Sequence, residues 1–235
     1  MSERIGRREL IGAAGIAAVA GAVGGHAAAQ GAAQGAEAAG PKRKIVGICC
    51  SPRKGKTTAA ALALCLHAAK EQVPGIETEL IELADLSIPA QLAAGQPLRA
   101  GETDDFPALA ATLAGPEVVG IIVGSPVYFS NMSALCKAFL DRCIAFRKAG
   151  FQLRNKVAGA LAVGSARNGG QELTVRSIQT CLMCQDMVVV GDGKPSAKIG
   201  ATLWNQDDSI AADEFGSDMA RSLGRRVAEV AALIG

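Results

Sequence analysis

The sequence predicts an α/β fold whose mostly parallel sheet is covered by helices on both faces. From Lys44 onward, short apolar segments alternate with segments of helical periodicity, which is the pattern of repeated βαβ units. Residues 118–123 have the continuous hydrophobicity of a strand that is buried on both faces. Turns rich in glycine or proline follow several strands and lead into helices. In parallel sheets, ligand sites form at such strand ends.

The expected elements follow one another without a repeat. The strands are predicted at residues 44–50, 77–83, 118–123, 156–163 and 187–190. The helices are predicted at about residues 57–72, 107–113, 132–145, 172–183 and 209–233. We expect Gly124 and Pro126 to end the third strand, and Ser130 or Asn131 to cap the helix after it. The polar face of that helix is predicted to carry Lys137, Asp141 and Arg142.

The connection between the second strand and the second helix, residues 84–104, is unusually long. It exceeds the usual length of a structureless loop, which is about 15 residues at most. The length predicts a functional lid or an interface. Asp104 or Asp105 is expected to cap the short helix that follows.

The first 29 residues predict a twin-arginine export signal. Arg7 and Arg8 precede an apolar run rich in glycine and alanine, residues 11–25, and Ala27 to Ala29 provide a cleavage site. An amphipathic or transmembrane helix is the alternative, but the run is shorter than the roughly 20 residues that span a bilayer. Residues 30–43 are predicted as a linker and residues 44–235 as the folded domain. We therefore expect a periplasmic or otherwise exported protein that uses the twin-arginine machinery, without stable membrane insertion.

Charge and cysteine content narrow the function classes. The net charge of +2 argues against a nucleic-acid surface. The chain has seven cysteines, and a protein exported in the folded state can keep them reduced. Cys181 and Cys184 alone have the spacing of a redox or metal pair. A packed helix face is the favoured interpretation of that pair, and a disulfide between them stays open.

The loop after the first strand, residues 50–58, is predicted to bind phosphate. It opens a helix, where free N–H groups and the helix dipole attract anions. Hydroxyl and basic side chains add to this, namely Ser51, Arg53, Lys54, Lys56, Thr57 and Thr58. A nucleotide-hydrolase phosphate loop is the alternative, since Gly55-Lys56-Thr57 matches the end of its motif. The first glycine of that motif would fall at Cys50, so the match fails.

The turn after the third strand reads Gly124-Ser-Pro-Val-Tyr-Phe-Ser-Asn-Met-Ser-Ala134, and Lys137-Ala-Phe-Leu-Asp-Arg142 follows it. Together they closely resemble the flavin-contacting loop of the flavodoxin-like NAD(P)H-dependent FMN reductases, in the branch that includes the iron-sulfur flavoproteins. The resemblance covers most of the chain from Lys44 onward. It implies a flavodoxin-like three-layer sandwich with a five-stranded parallel sheet of order 2-1-3-4-5. The loops after strands one, three and four would then meet in one crevice.

The resemblance assigns FMN contacts to these three loops. The first loop would hold the phosphate through Ser51, Arg53, Lys56, Thr57 and Thr58. The second would wrap the ribityl chain and ring through Pro126, Val127, Tyr128, Phe129, Ser130, Asn131 and Met132. The third would lie against the ring through Ser165, Ala166, Arg167, Asn168 and Gly169. Arg167 could contact the reduced flavin or a phosphate of the electron donor, and a plain surface position is an equal alternative.

The resemblance implies an FMN-dependent oxidoreductase that passes electrons from NAD(P)H to a flavin, a quinone or another small acceptor. The alternative is a non-enzymatic electron carrier that serves a protein partner. No side chain is predicted as a catalytic acid or base. No metal site is predicted either, because residues 88–99, where iron-sulfur members carry cluster cysteines, contain none. A homodimer or homotetramer is implied, and residues 88–105 are expected to govern acceptor choice.

Overall fold

The structure, a computed structural model, describes residues 42–234. The predicted export signal and nearly all of the predicted linker lie outside the described residues. The first strand begins at Arg43, the last residue assigned to the linker. Between residues 42 and 234, no helix combines the length and the apolar character that crossing a bilayer requires.

Strands and helices alternate along the described chain. Strands β1 to β7 cover Arg43–Cys49, Ile76–Glu82, Val118–Tyr128, Asn131–Met132, Val157–Gly164, Val188–Val189 and Ala201–Trp204. Helices α1 to α6 cover Thr57–Gln72, Phe106–Ala114, Ala134–Arg142, Ile144–Lys148, Gln171–Met183 and Glu214–Ile234. The last helix begins five residues later than predicted, because a turn occupies the start of the predicted range.

The sheet has the order β2-β1-β3-β5-β6, and each neighbouring pair in this series is parallel. The two-residue strand β4 pairs antiparallel with the end of β3. The strands β5 and β6 are therefore the fourth and fifth strands of the prediction, and the predicted order 2-1-3-4-5 is confirmed. The carboxyl ends of β1, β3 and β5 consequently lie side by side at one edge of the sheet.

The fifth strand is interrupted, unlike the single strand that was predicted. β6 pairs with the start of β5, and β7 pairs with its end. The chain between them leaves the sheet and returns at Gly200. A Cβ atom at Gly200 would come within 2.5 Å of the Ala160 carbonyl oxygen, so only glycine allows this close return.

Strand β3 continues past Gly124 and Pro126 to Tyr128, so the prediction that they end the strand is wrong. Beyond Gly124, β3 no longer pairs with β1, whereas its pairing with β5 continues to Pro126. One side of the strand is open there. A proline, which has no N–H to donate, is tolerated in such an edge position.

The helix after β3 also differs from the prediction. Phe129 and Ser130 have left-handed φ angles of 50° and 60°, which turn the chain back into β4. Asn131 is therefore a strand residue, and Ser133 caps α3 instead. Its Oγ accepts a hydrogen bond from the Cys136 N–H at 3.0 Å. The single predicted helix is found as two, α3 and α4.

Arg142 is buried, which corrects its predicted place on the polar face of the helix. Its guanidinium donates to both carboxylate oxygens of Asp104 at 2.8 Å, and to the Pro89 carbonyl oxygen at 3.2 Å. This contact holds the pKa of Asp104 below its usual value. The long connection contains short 3-10 turns at Leu83–Asp85 and Ala90–Ala94. It is thus partly structured, and the ion pair fastens it to α3.

Different helices cover the two faces of the sheet. Helices α1 and α6 pack on one face, and α2, α3 and α5 pack on the other. On the second face, the Phe106 ring packs against Phe139 and Phe146, with centroids 6.3 Å and 5.9 Å apart. This packing holds α3 and α4 against α2, and the start of α3 supplies one side of the crevice.

All seven cysteines are free thiols in the structure. Five of them are buried, whereas Cys181 is partly buried and Cys184 is exposed. Burial raises the pKa of Cys49 to about 11 and that of Cys50 well above its usual value. These two thiols, at the end of β1, are therefore neutral and poor nucleophiles at neutral pH.

Candidate functional site

Three loops meet at the carboxyl ends of β1, β3 and β5. The Ser133 hydroxyl, at the start of α3, donates to the Cys50 carbonyl oxygen at 2.7 Å. Gly170 lies directly against Ser130, since a Cβ atom at Gly170 would come within 2.5 Å of the Ser130 Cα. The predicted contact residues lie in these loops or in the adjoining ends of α1, β3 and β4, at positions 51–58, 126–132 and 165–169.

The loop between β1 and α1 presents hydrogen-bond donors to an anion. The N-cap residue of α1, Lys56, makes no side-chain hydrogen bond to the first turn, and that turn contains no acidic residue. The N–H groups and the positive end of the helix dipole are thus available. Thr57 and Thr58 are buried at the helix start. The Ser51 Oγ accepts from the Arg53 N–H at 3.1 Å, which shapes the loop.

Two basic side chains of this loop converge on Asp208. The Arg53 Nη1 and the Lys56 Nζ each donate to one carboxylate oxygen of Asp208 at 2.7 Å. The bonds from Lys56 and Arg53 lower the pKa of Asp208, so the carboxylate is ionised at neutral pH. Asp207 and Asp208 form the tip of a tight turn, with φ angles of 50° and 63°. Sequence reasoning missed Asp208, because 155 residues separate it from Arg53.

The turn after β3 presents aromatic side chains to solvent. Tyr128 is 45% exposed, and Phe129 is fully exposed. The Asn131 Oδ1 accepts from the Met132 N–H at 2.8 Å, which stabilises the far side of the turn. The predicted contact residues occupy the end of β3, the turn and β4, in the order Pro126, Val127, Tyr128, Phe129, Ser130, Asn131 and Met132.

The buried side chain of Gln171 fixes the loop between β5 and α5. Its Oε1 accepts from the Gly169 N–H at 2.8 Å, and its Nε2 donates to the Ala166 carbonyl oxygen at 2.5 Å. Ser165 and Asn168 are exposed in the same loop. The loop therefore has a defined shape although several of its side chains face solvent.

Arg167, in the same loop, is held between Trp204 and Asp213. Its Nη2 donates to the Asp213 Oδ1 at 3.2 Å, and its guanidinium carbon lies 5.2 Å from the centroid of the Trp204 ring. Neither partner was predicted as a site residue. Asp213 immediately precedes α6, so its preference for helix N-caps was the signal available in the sequence.

The sequence model described as NADPH-dependent FMN reductase matches residues 43–202. The chain belongs to this family. An iron-sulfur flavoprotein of Methanocaldococcus jannaschii is 41% identical over 195 residues, which cover 81% of this chain and 98% of the relative. A NAD(P)H dehydrogenase (quinone) of Chromohalobacter salexigens is 31% identical over 177 residues, which cover 68% of this chain and 84% of the relative.

Solved structures share the fold of this FMN reductase family member at low sequence identity. RosB, solved with a bound 8-demethyl-8-formylriboflavin-5'-phosphate, has a TM-score of 0.63 and 16% identity, over 81% of this chain and 79% of RosB. A flavodoxin, WrbA-like protein from Agrobacterium tumefaciens has a TM-score of 0.56 and 20% identity, over 83% of this chain and 99% of its own. The predicted α/β flavodoxin-like fold is confirmed.

As a member of the FMN reductase family, the protein is an FMN-binding oxidoreductase with NAD(P)H as its electron donor. The β1–α1 loop fits the FMN phosphate. The Asp208 carboxylate already places anionic oxygens where Arg53 and Lys56 meet, beside the uncapped start of α1. A phosphate offers the same kind of acceptor oxygens and the same sign of charge.

Proposed function

We propose that this FMN reductase family member passes electrons from NAD(P)H to a small acceptor such as a quinone or a flavin, with FMN held across the three loops. The convergence of those loops, through the contacts of Ser133 with Cys50 and of Gly170 with Ser130, carries the proposal. FMN supplies the redox chemistry when bound. The protein binds the cofactor, orients it and shields it from competing reactions.

In this proposal the first loop fixes the phosphate end of the cofactor. Arg53 and Lys56 exchange the Asp208 carboxylate for the phosphate, and Thr57 and Thr58 offer hydroxyl groups at the helix start. The β3 turn and the β5–α5 loop would hold the ring. Backbone N–H groups at a flavin ring stabilise the negative charge that reduction adds, so no side-chain acid or base is required.

Rapid mixing under anaerobic conditions tests the proposed activity. The purified holoprotein should lose its oxidised flavin absorbance when mixed with NADH or NADPH, and a quinone added afterwards should restore it. If neither nucleotide reduces the bound flavin, the proposed activity is refuted.

A non-enzymatic electron carrier is the second candidate. The full exposure of Phe129 beside Tyr128 favours it, because an exposed aromatic turn suits contact with a protein partner. A carrier would pass its electrons to a protein partner, so an added quinone would not restore the oxidised flavin absorbance. The same rapid-mixing experiment therefore separates the two candidates.

We further propose that the chain works without an iron-sulfur cluster, although several of its relatives are named iron-sulfur flavoproteins. Residues 88–99 contain no cysteine. Among residues 42–234, no three or more histidine, cysteine or acidic side chains are grouped as they would be around a metal ion. Iron and acid-labile sulfide should therefore be far below one equivalent per chain, and stoichiometric amounts would contradict this.

The connection of residues 88–105 is proposed to govern acceptor choice. Its attachment to α3, through Arg142 with Asp104 and Pro89, supports a defined position rather than a loose loop. Deleting residues 93–100 keeps both anchors. It should change acceptor kinetics or assembly and leave FMN affinity nearly intact. Loss of FMN with assembly retained would argue against this role.

Export through the twin-arginine machinery to the periplasm is also proposed, on the basis of Arg7, Arg8 and the apolar run after them. Replacing both arginines by lysine should leave the precursor in the cytoplasm with its flavin bound. Unchanged export of the double variant would point to a different kind of signal.

We also propose that the protein forms a homodimer or a homotetramer. Large apolar side chains that remain exposed on the single chain support it, among them Phe151, Met183 and Leu233. Light scattering on the purified holoprotein should give a mass of two or four chains, and a monomer would contradict this.

A further inference from the structure

Two cysteines, Cys181 and Cys184, lie together at the end of α5, outside the three flavin loops. Cys181 is in the last turn of the helix, and Cys184 is the residue that ends it. Cys181 is partly buried and packs against the core between the sheet and α3, whereas Cys184 is exposed. The interpretation of the pair as a packed helix face therefore holds for Cys181 alone. Packing does not explain the exposed thiol beside it.

The helix holds these two residues at a separation that a disulfide can bridge. Cys184 has helical φ and ψ angles of −65° and −11°, so both cysteines follow the geometry of α5. Residues three apart in an α-helix have Cα atoms about 5 Å apart. Disulfides join Cα atoms that are about 4.4–6.8 Å apart. Their Cβ atoms, roughly 5–6 Å apart in a helix, would have to approach to about 4 Å.

The end of the helix can make this small movement. The Cys184 N–H donates to the Thr180 carbonyl oxygen at 3.3 Å, which is a long hydrogen bond. Two residues later, Asp186 has a left-handed φ angle of 60°, and the chain turns away from the helix. No further helical turn has to move with Cys184. Residual strain in the bridge would make the disulfide easy to reduce again.

Exposure decides which thiol reacts first. The nucleophile in thiol–disulfide exchange is the thiolate, and it must reach the other disulfide. Cys184 is accessible for this attack. Burial raises the pKa of Cys181, although the Lys137 ammonium partly opposes that shift. Cys181 is thus suited to the second step, in which the neighbouring sulfur is already in place and proximity offsets a small thiolate fraction.

The other cysteines of the chain are shielded from such a reaction. All five are buried, namely Cys49, Cys50, Cys65, Cys136 and Cys143. Burial raises the pKa of Cys49 to about 11, and it raises the pKa values of Cys65 and Cys143 further. An external disulfide can therefore reach the α5 dithiol, defined as Cys181 with Cys184, and leaves the buried thiols unchanged.

We propose that the α5 dithiol is a thiol–disulfide exchange site for small external disulfides. The Cys184 thiolate attacks one sulfur of the external disulfide, whose S–S bond breaks and releases one thiolate. Cys181 then loses its proton and attacks the Cys184 sulfur, which releases the second thiolate. The two protein thiols are oxidised to one disulfide, and the external disulfide is reduced to two thiols, which take up both protons. This reaction uses no flavin, so it goes beyond the proposed function.

Counting thiols in the holoprotein tests the proposal, with glutathione disulfide as the probe. The reduced holoprotein is freed of reductant, incubated with the probe, unfolded in acid and alkylated. Alkylation should detect two thiols fewer than the seven of the sequence. Peptide mapping should join Cys181 to Cys184, and dithiothreitol should restore both thiols. An unchanged count, or a stable glutathione adduct on Cys184 of the wild type, would overturn the proposal.

Variants separate the two steps. Cys181→Ser keeps the exposed thiol but lacks the second one, so it should stop at a stable glutathione adduct on Cys184. Cys184→Ser should lose thiols at least roughly tenfold more slowly than the wild type, because only the partly buried Cys181 remains. The bound flavin absorbance verifies that each variant is folded.

The double variant Cys181→Ser and Cys184→Ser is the matched control, since it keeps all five buried cysteines. Its thiol count should not change in glutathione disulfide. Loss of thiols in the double variant, or the absence of an adduct in Cys181→Ser, would contradict the assignment. Because no flavin reduction is measured, failure of this test and failure of the proposed activity are distinguishable.

Discussion

The connection between β7 and α6 supplies two aspartates that pair with basic residues in two different ways. Asp208 lies at the tip of a turn, is 38% exposed and meets half-exposed Arg53 and Lys56. Asp213 lies at the base of α6, is buried and meets Arg167. Another anion can replace the Asp208 carboxylate. The Asp213 carboxylate cannot be replaced in this way, because it also accepts hydrogen bonds from the Trp204 and Gly216 N–H groups.

One connection thus holds two different loops of the site in two different ways. An exposed ion pair contributes little to stability, so a phosphate can replace Asp208 at low cost. A buried carboxylate that accepts several hydrogen bonds is expensive to remove, so Asp213 keeps Arg167 in one orientation. We infer that the phosphate end of the crevice is adaptable and that the end at Arg167 is rigid.

The largest effect is expected from Asp213→Ala. It removes the cap of α6 and leaves the Trp204 N–H without its acceptor. The loss of unfolding free energy should be about 2–4 kcal/mol, measured by denaturant titration. Asp218→Ala, at an exposed position on the same helix, should cost less than about 0.5 kcal/mol. Similar losses of unfolding free energy in the two variants would show that Asp213 is no more important to the fold than an exposed aspartate.

Gly170→Ala should separate the two ring loops. A Cβ atom there would meet Ser130, and the φ angle of 96° disfavours alanine. Gly150→Ala is the matched control, because Gly150 has a φ angle of 85° and nothing within 4 Å of a Cβ. Gly150→Ala should lose about 1–2 kcal/mol of stability. Gly170→Ala should lose more, because its Cβ also clashes with Ser130. Only Gly170→Ala should also weaken FMN binding, roughly tenfold. Equal FMN affinities would show that the loop contact is unimportant.

Asp208→Asn should tighten FMN binding by roughly threefold, because Arg53 and Lys56 are released from a competing carboxylate. Riboflavin, which has no phosphate, should bind as it does to the wild type. Fluorescence titration of the apoprotein measures both. Weaker FMN binding in this variant would mean that Asp208 helps to hold the cofactor.

Added salt should produce the smallest effect. It should weaken FMN binding at the phosphate loop and leave the contribution of Asp213 unchanged. Raising the ionic strength from about 0.1 M to about 1 M shortens the screening length from about 10 Å to about 3 Å. The FMN affinity should fall, since it depends on exposed cations. The stability loss in Asp213→Ala should stay the same. A salt-dependent loss in that variant would indicate that the Asp213 site is open to solvent.

Most of the fold was predictable from local patterns. Helix α1 has the predicted bounds, because a threonine pair at its start and Pro74-Gly75 after its end mark it in the sequence. The burial of Arg142 was not predictable. Its partner Asp104 lies 38 residues away, and only the tertiary packing of the long connection decides which face of α3 is covered.

The candidate site was predictable only in part, for the same reason. The three loops could be predicted, because each one follows the end of an apolar strand and two of them contain marked glycine or proline turns. Asp208 and Asp213 act across 152 and 46 residues of sequence, on Lys56 and Arg167 respectively. Their connection begins at the interrupted fifth strand, which the apolar pattern did not reveal.

The most direct test of the account compares FMN with riboflavin in a variant of the phosphate loop. The double variant Thr57→Ala and Thr58→Ala removes the hydroxyl groups of two buried threonines at the start of α1. FMN affinity should fall roughly tenfold or more while riboflavin affinity is unchanged, because only FMN carries the phosphate. Equal losses for the two ligands would contradict the assignment of this loop to the phosphate.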